Sequence, residues 1–105
     1  MKLSALTVTP ADEPGVLVLE GVLDVHTAPL LQQAIDEAPA TEPLVLDLAA
    51  LEFVDSSGLR VLVAAHNARS TDQAPLRLRN VEGEPARLLH ITDLDTVFAI
   101  EPGSP

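Results

Sequence analysis

Asp55-Ser56-Ser57-Gly58 sets two hydroxyls beside a carboxylate, and only a few kinds of chemistry are open to such a group. A serine becomes a nucleophile when a histidine and an acid lie against it, and His26, His66, His90, Asp24 and Asp55 supply those residue types. A nucleophile elbow, however, needs glycine two residues to either side of the serine. Ser56 has Val54 and Gly58 at those places and Ser57 has Asp55 and Leu59, so the local pattern speaks against a hydrolase. Two other roles fit better. Asp55 or Ser56 can cap a helix by accepting from amides two or three residues on, a contribution of about 1 kcal/mol. A serine exposed at a helix start can also accept a phosphate, which adds about 1.5 to 2 negative charges. The tetrad by itself leaves cap and switch both open.

No other group competes with it. No two histidines lie within a few residues of each other and the acids are scattered, which gives no metal-ligand spacing. The five glycines are dispersed, with neither Gly-Lys-Ser nor Gly-x-Gly-x-x-Gly among them, so no cofactor or nucleotide is expected. His66 falls on or beside the apolar face of a helix, and His90 falls near the end of another, where a cation suits the helix dipole. His26 precedes a helix cap and is only a candidate contact.

The elements that must position the tetrad can be read from periodicity. Leu3 to Thr9 alternates, Pro10-Ala11-Asp12-Glu13-Pro14-Gly15 turns the chain, and Val16 to Leu19 follows as the second strand of a hairpin. Gly21-Val22-Leu23-Asp24-Val25-His26 leads to Thr27, read as an N-cap, and to Pro29, which the first turn tolerates. Leu30, Leu31, Ala34, Ile35 and Ala38 then form one stripe of a helix that ends near Pro39. Leu44 to Leu48 reads as a buried strand, and Leu59, Leu62, Val63 and His66 recur at helical spacing, so the tetrad sits where a helix begins. After a polar connection from Asn67 to Pro75, Leu76-Arg77-Leu78-Arg79 alternates as a half-exposed strand. Gly83 to His90 is a short helix and Val97 to Ile100 a last strand. The order β-β-α-β-α-β-α-β predicts an α/β domain, a mixed sheet of four to five strands with parallel pairs and helices packed on it.

Composition narrows the function classes. A chain of 105 residues supports one domain with one modest core. Phe53 and Phe98 are its only aromatic residues in a sequence that is 47% hydrophobic, so that core must be built from Leu, Val, Ile and Ala. The lack of cysteine removes disulfides and thiolate chemistry and fits a reducing cytoplasm. Met1 to Thr7 carries one positive charge and no long apolar run, unlike a secretory signal, and no segment approaches the roughly 20 apolar residues of a membrane helix. A formal net charge of −10 opposes binding to nucleic acid, because backbone affinity depends on Lys and Arg releasing counterions. A basic or locally cationic protein is the better partner.

Leu44-Val45-Leu46-Asp47-Leu48, Phe53-Val54-Asp55-Ser56-Ser57-Gly58-Leu59 and Gly21-Val22-Leu23-Asp24-Val25-His26-Thr27-Ala28 together resemble the STAS domain of bacterial anti-sigma factor antagonists. The resemblance runs from the first hairpin to Phe98. It implies a non-enzymatic partner switch in which Ser56 is phosphorylated by an anti-sigma factor that is itself a serine kinase, and is reset by a PP2C-type phosphatase. The unphosphorylated antagonist binds the anti-sigma factor and frees the sigma factor. By the same resemblance Asp24 lies near the phosphosite, and Asp24, His26, Thr27, Asp55, Ser57, Gly58 and Leu59 form or shape the partner surface. A non-phosphorylated STAS adaptor in a transporter or stressosome-like assembly is the alternative. Two departures stand out: Asp93 occupies a left-handed cap where the family often has glycine, and Pro102-Gly103-Ser104-Pro105 replaces a C-terminal helix. The expectation is therefore a STAS domain over residues 1–101 and a disordered tail at 102–105, with the C-terminal helix short or absent and apolar sheet surface left for a partner or a second copy to cover.

Overall fold

The computed structural model describes residues 5–39, 41–69 and 75–101. The expected start of the first strand at Leu3, the middle of the connection before Pro75 and the 102–105 tail lie outside the described residues. Among the described residues five strands and three helices follow in the order β1 (Leu6–Pro10), β2 (Val16–Leu23), α1 (Ala28–Glu37), β3 (Leu44–Val54), α2 (Ser56–Ala68), β4 (Leu76–Arg79), α3 (Gly83–Ile91) and β5 (Ala99–Ile100), with a 3-10 turn at Leu94–Thr96 before β5. The strands lie side by side in chain order. β1 and β2 pair antiparallel as a hairpin, and β2, β3, β4 and β5 are parallel, each joined to the next through a helix. This is the mixed sheet that the alternating element order predicts.

Aliphatic side chains alone make most of the core. Leu19, Leu23, Leu46, Leu48, Leu76 and Leu78 of the sheet are almost fully buried against Leu31 and Ile35 of α1, Leu59, Leu62 and Ala65 of α2, and Leu89 of α3. Each such leucine is worth about 1.5–3 kcal/mol relative to exposure. His66 is half-buried and meets Phe98 edge to face, with ring centroids 5.4 Å apart, consistent with its expected place beside the apolar stripe.

Several elements differ from the sequence reading. β2 runs to Leu23, because Gly21 lets the hairpin partner approach: at φ +112° its backbone suits glycine, and a β-carbon would collide with the Ala5 carbonyl oxygen. β3 runs on to Val54, through Ala49-Ala50, whose small exposed side chains hide the strand pattern. Leu30 is exposed, since α1 turns Leu31 and Ile35 inward. The last strand shrinks to Ala99–Ile100, because Leu94 to Phe98 are taken up by the 3-10 turn and the bonds that close it. Asp93 does adopt the left-handed conformation, φ 61° and ψ 15°, that its position requires.

Two arginines hold the frame. Arg69, buried after the end of α2, donates to the carbonyl oxygens of Glu42 (2.9 Å), Ala38 (3.2 Å) and Pro39 (3.0 Å), so it closes the end of α1 and the link to β3 at once. Arg79 reaches Glu101 at 2.8 Å and Glu13 at 3.2 Å, and so clasps the hairpin turn and the residue after β5 to the end of β4. The bonds to Glu13 and then Glu101 raise the affinity of the guanidinium for its proton above the ordinary arginine value.

Candidate functional site

The parallel pairing of β2 with β3 brings the two acidic turns together. Near its start the register pairs Val16 with Val45, and at its end Leu23 with Val54, so the numbering offset grows from 29 to 31 along the ladder. Two irregularities, between Val18 and Glu20 and between Gly21 and Val22, each give β3 one extra residue. The ladder then closes with the Asp55 amide donating to the Leu23 carbonyl oxygen at 3.1 Å. Asp24 and Asp55 are the next residues on neighbouring strands, at the carboxyl ends where open α/β sheets present their sites.

Each aspartate organises the helix start that follows it. Asp55 is the N-cap of α2: its Oδ1 accepts from the Gly58 amide at 3.0 Å, and the Leu59 amide donates to its carbonyl oxygen at 2.9 Å. Of the two caps the sequence allowed, the carboxylate is the one used. Before α1 Thr27 does stand at the N-cap position that the sequence reading gave it, but its side chain is not the group that caps the helix. Thr27 has helical backbone angles and makes no side-chain bond into α1, because the chain is already turning at Asp24. Asp24 Oδ1 accepts from the amides of His26 (2.9 Å) and Thr27 (3.1 Å), while Thr27 Oγ1 accepts from the Asp24 amide at 2.9 Å. This reciprocal exchange is that of a capping box. Thr27 Oγ1 has one proton and gives it to the Val22 carbonyl oxygen at 2.8 Å, which ties the turn to the strand.

The expected site residues therefore divide by exposure. Thr27, Gly58 and Leu59 are buried and build the site from beneath. Gly58 is required there: a β-carbon would stand 2.5 Å from Leu23 Cγ and 2.8 Å from Val54 Cγ2. Asp24, Asp55 and Ser57 are half-buried, and His26 and Ser56 are exposed. Ser56 is the first residue of α2, and among the described residues no side-chain hydrogen bond engages its hydroxyl or that of Ser57. The hydroxyl is thus presented to solvent on a rigid helix end, beside two carboxylates held by backbone amides.

The sequence reading passed over other exposed residues here. Val25, Leu30 and Phe53 are exposed apolar side chains on the segments that border Ser56, and Val22 pairs with Phe53 on the outer side of the sheet. Their apolar character in a strand or stripe pattern suggests core, so the sequence carries no signal that they face out. Arg60 lies four residues after Ser56, a spacing that was legible. Among the described residues no group of three or more His, Cys, Asp or Glu side chains is placed to hold a metal ion, and no helix is long and apolar enough to cross a membrane.

Comparison with known proteins gives this geometry a family context. A family model described as "Mlab, STAS domain" matches residues 6–101. The anti-sigma-F factor antagonist RsfB of Mycobacterium tuberculosis is 37% identical over 102 residues, covering 91% of this chain and 81% of RsfB. An anti-sigma-B factor antagonist of Listeria monocytogenes is 31% identical over 87 residues, 81% of this chain and 76% of its own length. The crystal structure of an anti-sigma factor antagonist from Mycobacterium paratuberculosis superposes with a TM-score of 0.76 at 33% identity, covering 93% of this chain and 86% of that one.

Proposed function

The chain belongs to the STAS domain family, and from that premise we propose that it is an anti-sigma factor antagonist switched off by phosphorylation of Ser56. Its partners are then an anti-sigma factor that is a serine kinase and a PP2C-type phosphatase; it catalyses nothing itself and works in the cytoplasm. The observation that carries this reading is the free Ser56 hydroxyl at the first position of α2, beside the paired Asp24 and Asp55 turns. Unphosphorylated, the surface offers an uncharged hydroxyl together with the exposed apolar side chains of Val25, Leu30 and Phe53, which a partner can cover. A phosphate there would add charge where two carboxylates already stand, and covering it would require stripping its water. Release follows from repulsion and desolvation at the interface, with no need to refold the loop.

The test is incubation with the cognate anti-sigma kinase and ATP, followed by phosphopeptide mapping: phosphate on Ser56 is expected, and an unmodified Ser56 would sink the reading. Calorimetry extends it. Ser56→Ala should keep the affinity of the unmodified protein for the anti-sigma factor and Ser56→Asp should weaken it at least tenfold; equal affinities would exclude the charge mechanism. The alternative is an adaptor of a transporter or stressosome-like assembly that docks through the same surface without phosphate. For that reading Ser56→Asp and Ser56→Ala would both leave assembly with the natural partner intact.

A further inference from the structure

We propose that Arg60 is a phosphate clamp within the same chain, which draws the phosphoserine at position 56 onto the outer face of α2; this rests on the reading of Ser56 as the phosphorylated residue. Ser56 and Arg60 are both exposed and stand at i and i+4 of a continuous helix, Ser56–Ala68. Residues so spaced lie on one helix face with β-carbons about 5–6 Å apart. Helical side chains lean toward the N-terminus, so the long Arg60 side chain reaches back over the turn that carries Ser56.

The charge inventory supports the assignment. Five arginines lie among the described residues. Arg69 is spent on backbone carbonyls, Arg79 on Glu13 and Glu101, and Arg87 stands 3.7 Å from Glu84. Arg60 and Arg77 make no ion pair among the described residues, although the chain carries a net charge of −10. Arg77 is on β4, paired with Val45 near the start of β3, while Ser56 follows the end of that strand. Only Arg60 of the two lies within reach of the serine.

The chemistry is that of a planar guanidinium against a phosphate dianion, which it can bind through two N–H groups at once. Unphosphorylated Ser56 offers nothing comparable, so the pair forms only in the modified state. It would offset part of the repulsion from Asp24 and Asp55 and fix the phosphate over the helix face, so that the switched-off state is a defined conformation.

The experiment installs phosphoserine at position 56 of the full chain by genetic encoding, which makes it independent of any kinase. Phosphorus NMR then follows the second ionisation of the phosphate in three proteins: wild type, Arg60→Gln and Arg77→Gln. Glutamine keeps the helix propensity of an exposed position, and circular dichroism checks folding. Because a nearby cation favours the dianion, the phosphate should titrate about 0.3 pH unit or more lower in wild type than in Arg60→Gln at low salt. The Arg77→Gln protein should follow wild type, and 1 M salt should shrink the difference. Coincident titrations of wild type and Arg60→Gln, or an equal displacement by Arg77→Gln, would overturn the clamp. A kinase that leaves Ser56 unmodified would remove the switch while these titrations still decided the pair.

Discussion

Gly58 shows how little freedom the site has at the scale of one residue. On an exposed helix, replacing glycine by alanine stabilises by about 1 kcal/mol. Here the added methyl meets Leu23 and Val54, both buried in the core, and overpacking of that kind costs about 1–3 kcal/mol. The clash should win, and Gly58→Ala is expected to lower stability by about 1–2 kcal/mol in urea unfolding; a stabilised variant would mean that α2 can lift away from β2. Asp55 separates cap from charge. Asp55→Ala should cost about 1 kcal/mol, whereas Asp55→Asn keeps an acceptor for the Gly58 amide and should lie within a few tenths of wild type in the same measurement. If both lose the same amount, the carboxylate charge is what matters. That Asp55 or Ser56 caps a helix was legible in the sequence, since cap chemistry is local. That the Asp24 side chain opens the turn before α1 was not, because the Thr27 hydroxyl is engaged away from the helix, accepting from the Asp24 amide and donating to the Val22 carbonyl oxygen, five residues back on the strand.

At the scale of elements, the carboxyl ends of β2 and β3 meet because β3 carries two extra residues. A single one would have exchanged the faces of the strand beyond it, turning Leu51 or Val54 outward; the second restores the alternation and moves the end of the ladder by two. Were the starting offset kept, Asp24 would stand opposite Phe53, two residues short of Asp55 and the start of α2. The far ends of the helices depend on Arg69, which satisfies carbonyls that helix α1 leaves without partners. Arg69→Ala should cost about 2–3 kcal/mol by urea unfolding, since three charge-assisted, part-buried bonds are lost together. Arg69→Lys should recover only part, because an ammonium cannot span the carbonyls of Ala38, Pro39 and Glu42 as a fork does. Full recovery would assign the effect to charge alone. Periodicity foretold the order of elements well. It failed at Ala49-Ala50 and at Val97-Phe98, where bulges or a 3-10 turn break the repeat that a sequence reading depends on.

For the whole molecule the governing fact is a formal charge of −10 on 105 residues. Self-repulsion of that size opposes the compact state and is screened by salt, so the midpoint of thermal unfolding should rise between 10 and about 200 mM monovalent salt. The Arg79 bracket works in the opposite sense, but it is one cluster against the field of 16 acids, and the rise should prevail. A midpoint that falls with salt would make that bracket the dominant electrostatic feature. Sequence by itself determined what depends on neighbours along the chain: the alternation of strands and helices, an aliphatic core, the cap at Asp55 and a serine at a helix start. Only the tertiary structure decided that the Asp24 turn and the Ser56 helix share one edge, that Gly58 is the spacer between them, and that Phe53, Val25 and Leu30 face outward beside it. Those facts rest on strand register and on which side of an element meets the core, and both are set by contacts between residues about thirty positions apart, whose pairing no local pattern encodes.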